Sequence, residues 1–231
     1  MASSQPRRYR YVDLITASFV AVLLISNVAA LKVFVLWGRP FDGGAFIFPV
    51  SYIFGDILTE VYGYRRSRRV IWTGFFWLLV MNFVMGLTVI MPPEADWERS
   101  VGNENFRRVF SLTPRLAAAG ILGYFWGEFS NSYVLAKMKI LTEGRFLWMR
   151  TIGSTIVGEL VDTALFCTIA FWGILPPAQL IDYTFTGYVY KTTVEVVMTP
   201  VTYLVVGFLK REENVDHYDV GTNFSPFAWR T

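Results

Sequence analysis

VIWTGFFWLLVMNFVMGLTVIM, residues Val70 to Met91, runs 22 residues without a charged side chain and stops at Pro92-Pro93. A helix rises about 1.5 Å per residue and the hydrocarbon core of a bilayer is about 30 Å thick, so roughly 20 apolar residues cross it. The stretch predicts a membrane-spanning helix, and similar stretches lie on either side. Val12 to Leu36 is the first span, ending at the Gly38-Arg39-Pro40 break, and Ala45 to Tyr64 is the second, interrupted by Asp56 and Glu60. Beyond a polar loop from Glu94 to Ser111, a fourth span runs from Thr113 to Ala136, with Thr113 as N-cap and Pro114 in the first turn. Phe146 to Leu175 and Tyr183 to Leu209 complete the set. The expected fold is all-α, an integral membrane bundle of six transmembrane helices at residues 12–209. It lies between an N-terminal segment (1–11) and a polar tail (210–231).

Composition carries the same signature over the whole chain. Of 231 residues, 54% are hydrophobic and 17% charged, with a mean hydropathy of +0.40, where a soluble domain carries about a quarter charged residues. Eight Trp and twelve Tyr suit the two membrane interfaces. One Cys and one His exclude a disulfide framework and a Cys/His metal cluster, and no cofactor is expected. The net charge of +3 sits in loop lysines and arginines, without a basic arm interleaved with aromatics, so no nucleic-acid partner is expected. The basic start, MASSQPRRYR, is like that of a signal peptide. The apolar stretch after it is too long and lacks a small-residue cleavage site, so it reads as a retained helix.

Orientation follows from the basic residues. With the N-terminus inside, the inner segments hold thirteen: Arg7, Arg8, Arg10, Arg65, Arg66, Arg68, Arg69, Lys137, Lys139, Arg145, Arg150, Lys210 and Arg211. The outer segments hold four: Arg39, Arg99, Arg107 and Arg108. This positive-inside asymmetry predicts cytoplasmic termini, an external 94–111 loop and an inner-membrane location.

The chemistry lies in the charges that interrupt the spans: Lys32, Asp56, Glu60, Arg115, Glu128, Glu159, Asp162, Lys191 and Glu195, together with Asn131. A charged residue at a helix centre costs about 2.5–3.5 kcal/mol on insertion scales. Residues near span ends, such as Lys32, Glu60 and Arg115, can snorkel to the headgroups; Glu128, Glu159, Asp162 and Lys191, nearer mid-span, have farther to reach. Asp56, Thr59 and Glu60 share one helix face, as do Glu128, Asn131 and Ser132, then Thr155, Glu159 and Asp162, then Gly187, Lys191 and Glu195. Four polar stripes on four helices predict an inward-facing lining, either around a solute or as helix-to-helix salt bridges. Acids outnumber bases, so the surplus carboxylates need protons or a ligand rich in N–H donors. A guanine-like edge, with a ring N–H and an exocyclic amine, suits one carboxylate in a bidentate manner. Tyr133, Phe166, Tyr183 and Tyr190 are available as stacking faces, and Gly120, Gly123 and Gly127 could let helices approach closely.

Ser26-Asn27 followed by Lys32, and FPVSYIFGDILTEVYGYRRSRRVI (Phe48 to Ile71), resemble the queuosine-precursor transporter family, also called the vitamin uptake transporter family. GEFSNSYVLAKMK (Gly127 to Lys139), GRFLWMRTIGSTIVGELVDTALF (Gly144 to Phe166) and Lys191 with Pro200 extend the resemblance over about Asn27 to Leu209. It implies uptake of 7-deazaguanine precursors of queuosine, in their 7-cyano and 7-aminomethyl forms, across a lipid bilayer, with a homodimer allowed. Carried over by position, Asn27, Asp56, Glu128, Asn131, Glu159, Asp162 and Lys191 are the expected solute contacts. The alternative is the substrate-binding subunit of an ATP-driven energy-coupling-factor importer; the chain holds no P-loop, so ATP use would require another chain. An intramembrane enzyme is not expected. The sole His, His217, lies in the tail, and Ile53-Phe54-Gly55-Asp56 lacks the first glycine of an aspartyl-protease run.

Overall fold

A computed structural model describes residues 9–36, 38–110 and 114–228. Helix α1 spans Val12–Ala29. The Glu213 carboxylate accepts hydrogen bonds from the backbone N–H groups of Arg10 (3.1 Å) and Tyr11 (2.8 Å), two donors at a helix start that no turn of the helix can satisfy. The helix stops seven residues before the predicted end of the first span. Val33–Leu36 (β1) and Arg39–Asp42 (β2) instead form an antiparallel hairpin, with Gly38 in the left-handed region at φ 73°. Lys32 is therefore an exposed connector residue and not a charge inside a span. A short apolar run rich in β-branched and aromatic residues fits a strand as well as a helix end, and here the following turn decides for the strand.

The chain re-enters through a 3₁₀ turn, Gly43–Phe46, capped by the Asp42 side chain, which accepts from the Ala45 N–H at 3.0 Å. Helix α2, Phe48–Ile57, carries Pro49 in its first turn and widens into one π turn at Leu58–Tyr62. Gly63 ends it at φ 86°, where a Cβ would collide with the His217 ring. Helix α3, Tyr64–Ile90, follows at once. The loop expected to be merely polar folds into two short helices, α4 (Ala95–Ser100) and α5 (Asn103–Phe110). Three long helices complete the fold: α6 (Pro114–Leu141), α7 (Leu147–Phe171) and α8 (Pro177–Glu212). The proposed cap, Thr113, falls outside the described residues.

The result is an all-α membrane bundle with one small hairpin. Five segments are long and apolar enough to cross a membrane: Val12–Ala29, Gly43–Tyr62, Tyr64–Ile90, Leu147–Phe171 and Pro177–Glu212. Helix α6 is long enough, at 28 residues, but its Gly, Ser, Asn and Glu content keeps it out of that set. It packs antiparallel along α7 more extensively than any other pair of elements. The approach is set by small residues. A Cβ on Gly127 would lie 2.7 Å from the Asp162 Cβ, and one on Gly158 2.7 Å from the Asn131 Cβ. Large apolar side chains such as Phe83, Val197 and Leu204 stay exposed on the outside, as a surface facing lipid tails requires.

The tail does not hang free. The Tyr64 hydroxyl donates to the Phe224 carbonyl (2.8 Å), Arg68 donates to the carbonyls of Asn223 and Ser225 (2.8 and 2.9 Å), and the Trp72 indole donates to Pro226 (2.9 Å). Residues 213–228 therefore strap the ends of α1, α3, α6 and α8 together.

Candidate functional site

Two layers of charge lie inside the bundle. The first belongs to Glu60, on the π turn, which is fully buried. Arg150, from the first turn of α7, donates to both of its oxygens (Nε at 2.7 Å, Nη2 at 2.8 Å). Lys210 from α8 lies 2.5 Å and Lys139 from α6 3.3 Å from Glu60 Oε1, and both lysines also reach Asp216 in the tail. Glu60 therefore neither snorkels nor joins a solute lining. It is the centre of a closed ionic knot at one end of the molecule, and every charge in that knot has a partner.

The second layer, nearer the middle of the helices, is differently composed. Asp56 (α2) accepts from the Asn131 amide (α6) at 2.8 Å. Lys191 (α8) donates to Asp162 (α7) at 2.7 Å and lies 3.2 Å from Glu159 Oε2. Its ammonium sits 4.5 Å from the centre of the Phe48 ring, whose neighbour along α2 is Tyr52 at 5.8 Å. Thr155 on α7 donates to Glu195 on α8. Glu128 reaches from α6 across to α2, where Gly55 leaves it room: a Cβ there would be 2.7 Å from Glu128 Oε2. Asp56, Glu128, Asn131, Glu159 and Asp162 are all buried, and Glu128 and Glu159 are 0% exposed. Residues from four polar stripes thus converge, with Glu60 of the first stripe left in the knot instead.

The layer is unfinished. Among the described residues, both oxygens of Glu128, Glu159 Oε1, Asn131 Oδ1, Glu195 Oε2 and the Tyr52 and Thr163 hydroxyls are buried without a hydrogen-bond partner, and Glu159 Oε2 has only the Lys191 ammonium at 3.2 Å. Buried polar atoms are nearly always satisfied, because an unmade bond costs about 1–3 kcal/mol and more for a charged group. Most of these orphans are acceptors, so whatever completes them is a donor. A knot with every partner in place and a layer with acceptors to spare have different uses. The first holds helices together; the second has acceptor atoms free for donors from elsewhere.

Of the expected contacts, the structure brings Asp56, Glu128, Asn131, Glu159, Asp162 and Lys191 together and leaves Asn27 apart. The Asn27 amide donates to the Leu23 carbonyl of its own helix at 2.9 Å. Tyr133, expected as a stacking face, turns outward against Phe224 and Lys137 of the tail side. Tyr190 packs on Phe41 and Phe46 beside the hairpin. Phe48, Tyr52 and Glu195 belong to the layer but were absent from the expected contacts. Tyr52 stands four residues before Asp56 and Phe48 four before Tyr52, so the helix face that selected Asp56 already contained both. On the lipid side of α6 and α7, away from these carboxylates, an open groove of about 480 Å³ is lined by Trp126, Ser130, Leu160, Val161, Ala164 and Leu165.

A family model described as "Putative vitamin uptake transporter" matches residues 42–205, which include α2, α6, α7 and all the charged residues of the second layer. The chain belongs to the vitamin uptake transporter family. As a member, it is a multi-pass membrane transporter and not an enzyme. It is 28% identical over 190 residues to the "Probable queuosine precursor transporter" of Bacillus subtilis (strain 168), covering 81% of each chain. The "Queuosine precursor transporter" of Escherichia coli (strain K12) is 24% identical over 169 residues, covering 73% of this chain and 72% of that one. No solved structure matches the chain. The vitamin uptake transporter match stops before Lys210, so the tail strap lies beyond the family pattern.

Proposed function

We propose that this chain carries 7-deazaguanine precursors of queuosine across the inner membrane, working without an ATP-driven partner. The observation that carries this is the unfinished layer: closed off from solvent, contributed by α2, α6, α7 and α8, and rich in acceptors that lack donors. The names of the relatives supply the solute, and its guanine-like edge supplies the donors. Helix α6 acts as the sixth span. Its antiparallel packing on α7 and the gathering of the α1 start, the π turn, the α7 start and the α8 end at one pole support a crossing there. That pole is the cytoplasmic one, on the weight of its basic residues.

In this reading the site lies near the bilayer midplane and opens alternately to each side. Glu128, with both oxygens free, and Glu159 receive the pyrimidine-like edge of the base. Asp56 and Asn131 bound the same space, and Phe48 offers a stacking face. Lys191, paired with Asp162 and Glu159 in the empty state, exchanges partners as the solute enters. Asn27 stands at the end of α1 beside the hairpin, where an incoming solute passes. Purified chain alone in liposomes should take up labelled 7-aminomethyl-7-deazaguanine, or exchange it, and adenine should compete poorly. Uptake that appears only when an ATPase complex is added would refute the reading and favour the binding-subunit alternative.

A further inference from the structure

We propose that the second layer selects a solute bearing a positive charge, so that among guanine-edged heterocycles the 7-aminomethyl form, protonated at its amine, is preferred over the neutral 7-cyano form. This rests on the reading of the chain as a carrier of queuosine precursors, and it names which of them the site is built for.

The first ground is a count of charges. Asp56, Glu128, Glu159, Asp162 and Glu195 are buried together, and among the described residues Lys191 is the one cation that an ion pair joins to them. The other buried cations are committed elsewhere. Arg150 and Lys139, with the part-buried Lys210, close on Glu60 and Asp216, and Arg68 donates to the tail carbonyls of Asn223 and Ser225. A low-dielectric interior leaves a surplus carboxylate either to take up a proton or to meet a cation, so a solute that brings a positive charge into this layer answers a carboxylate that a neutral one of the same shape leaves to a proton.

The second ground is the chemistry of the orphaned atoms. A guanine-like edge has enough donors for one carboxylate, which Glu128 provides with both oxygens free. That leaves Glu195 Oε2, Glu159 Oε1 and Asn131 Oδ1, all acceptors, without donors. An ammonium brings three N–H groups to such a cluster, whereas a nitrile brings only a lone pair and sets acceptor against acceptor. The third ground is that the layer already houses an ammonium: Lys191 Nζ lies 4.5 Å from the Phe48 ring centre, an aromatic face that favours a cation.

The test compares three probes on the full-length wild-type chain in liposomes: 7-aminomethyl-, 7-cyano- and 7-methyl-7-deazaguanine, the last a neutral probe without the amine. The aminomethyl form should bind at least about tenfold more tightly than either neutral form, the ratio that a single charge-assisted hydrogen bond supports. Glu195→Gln, which keeps a group able to accept from Thr155, should narrow that ratio by weakening the aminomethyl form by a larger factor than the cyano form. Thermal unfolding of the variant in detergent reports whether it folds; if it does not, the wild-type ratio alone decides. Equal or tighter binding of the cyano form overturns the inference and leaves the carrier reading standing. Equal loss of both forms in a folded Glu195→Gln variant also overturns it. Binding of none of the three overturns the carrier reading and this inference with it.

Discussion

At the scale of single residues, two glutamates of the same type do opposite work because of what surrounds them. Glu60 has Arg150, Lys210 and Lys139 around it, so its charge is fully answered. Glu128 is equally buried and has no hydrogen-bond or ion-pair partner among the described residues. Removing the charge of Glu60 leaves Arg150 buried without its carboxylate and Lys139 and Lys210 with Asp216 alone. Glu60→Gln should therefore lower stability by about 3–5 kcal/mol, the cost of breaking a buried ion pair, read as an earlier thermal unfolding transition in detergent. An unchanged transition would show that the knot is not structural. Asp162→Ala frees Lys191 from its 2.7 Å partner within the layer and should abolish solute binding, whereas Asp13→Ala, in the exposed first turn of α1, should not. Equal retention of binding in both would contradict the assignment of the layer.

At the scale of elements, the polar stripes were legible because helical spacing alone places residues i, i+3 and i+4 on one face. Asp56, Glu128, Glu159 and Lys191 needed only that rule to be found. Glu60 was grouped with them for the same reason, and wrongly. One helical turn along α2 moves it from the layer to the knot, and its partners Arg150, Lys139 and Lys210 had been read as loop charges. The hairpin escaped notice because Val33–Leu36 is too short a run for periodicity to tell a strand from a helix end. The close approach of α6 to α7 was legible as Gly123-xxx-Gly127, but the partner position, Gly158, was not, since pairing across helices is tertiary information. Gly127→Ala should cost about 1–3 kcal/mol through overpacking against Asp162. Gly120→Ala, where a Cβ meets nothing within 4 Å, should leave stability unchanged or slightly raised. Thermal unfolding of the pair distinguishes packing from a general intolerance of substitution in α6.

At the scale of the whole molecule, the tail turns a bundle into a closed unit at one pole, and its polar sequence gave little sign of it. The anchors are backbone carbonyls at 223–226 and the Phe224 ring, which packs tilted against Tyr64 at 5.0 Å, features that composition does not display. Two carboxylates outside the spans make the strap sensitive to acid. Burial pushes Asp219 up, but hydrogen bonds from His217, the Tyr64 N–H and Thr222, with the His217 charge, outweigh it and hold it below its ordinary 3.8. Asp216 is likewise raised by burial and lowered further by Lys139 and Lys210, ending below 3.8. Depressed folded-state values mean that these contacts stabilise the docked tail above the unfolded value and are lost as pH falls through the folded ones. Protection of the 213–228 amides from hydrogen exchange should hold from neutral pH to about pH 4 and weaken below it. Protection that weakens instead as pH rises through neutrality would contradict this.

The central claim is that acceptor atoms left bare inside the bundle are waiting for the donors of a guanine-edged solute. The most direct measurement is a structure of the full chain in a lipid environment with 7-aminomethyl-7-deazaguanine bound. Density for the base enclosed by α2, α6, α7 and α8, with its N–H edge on Glu128 and Glu159 beside Lys191, is the predicted result. Density confined to the lipid-facing groove at Trp126 and Leu160, with the interior carboxylates unchanged, would contradict it.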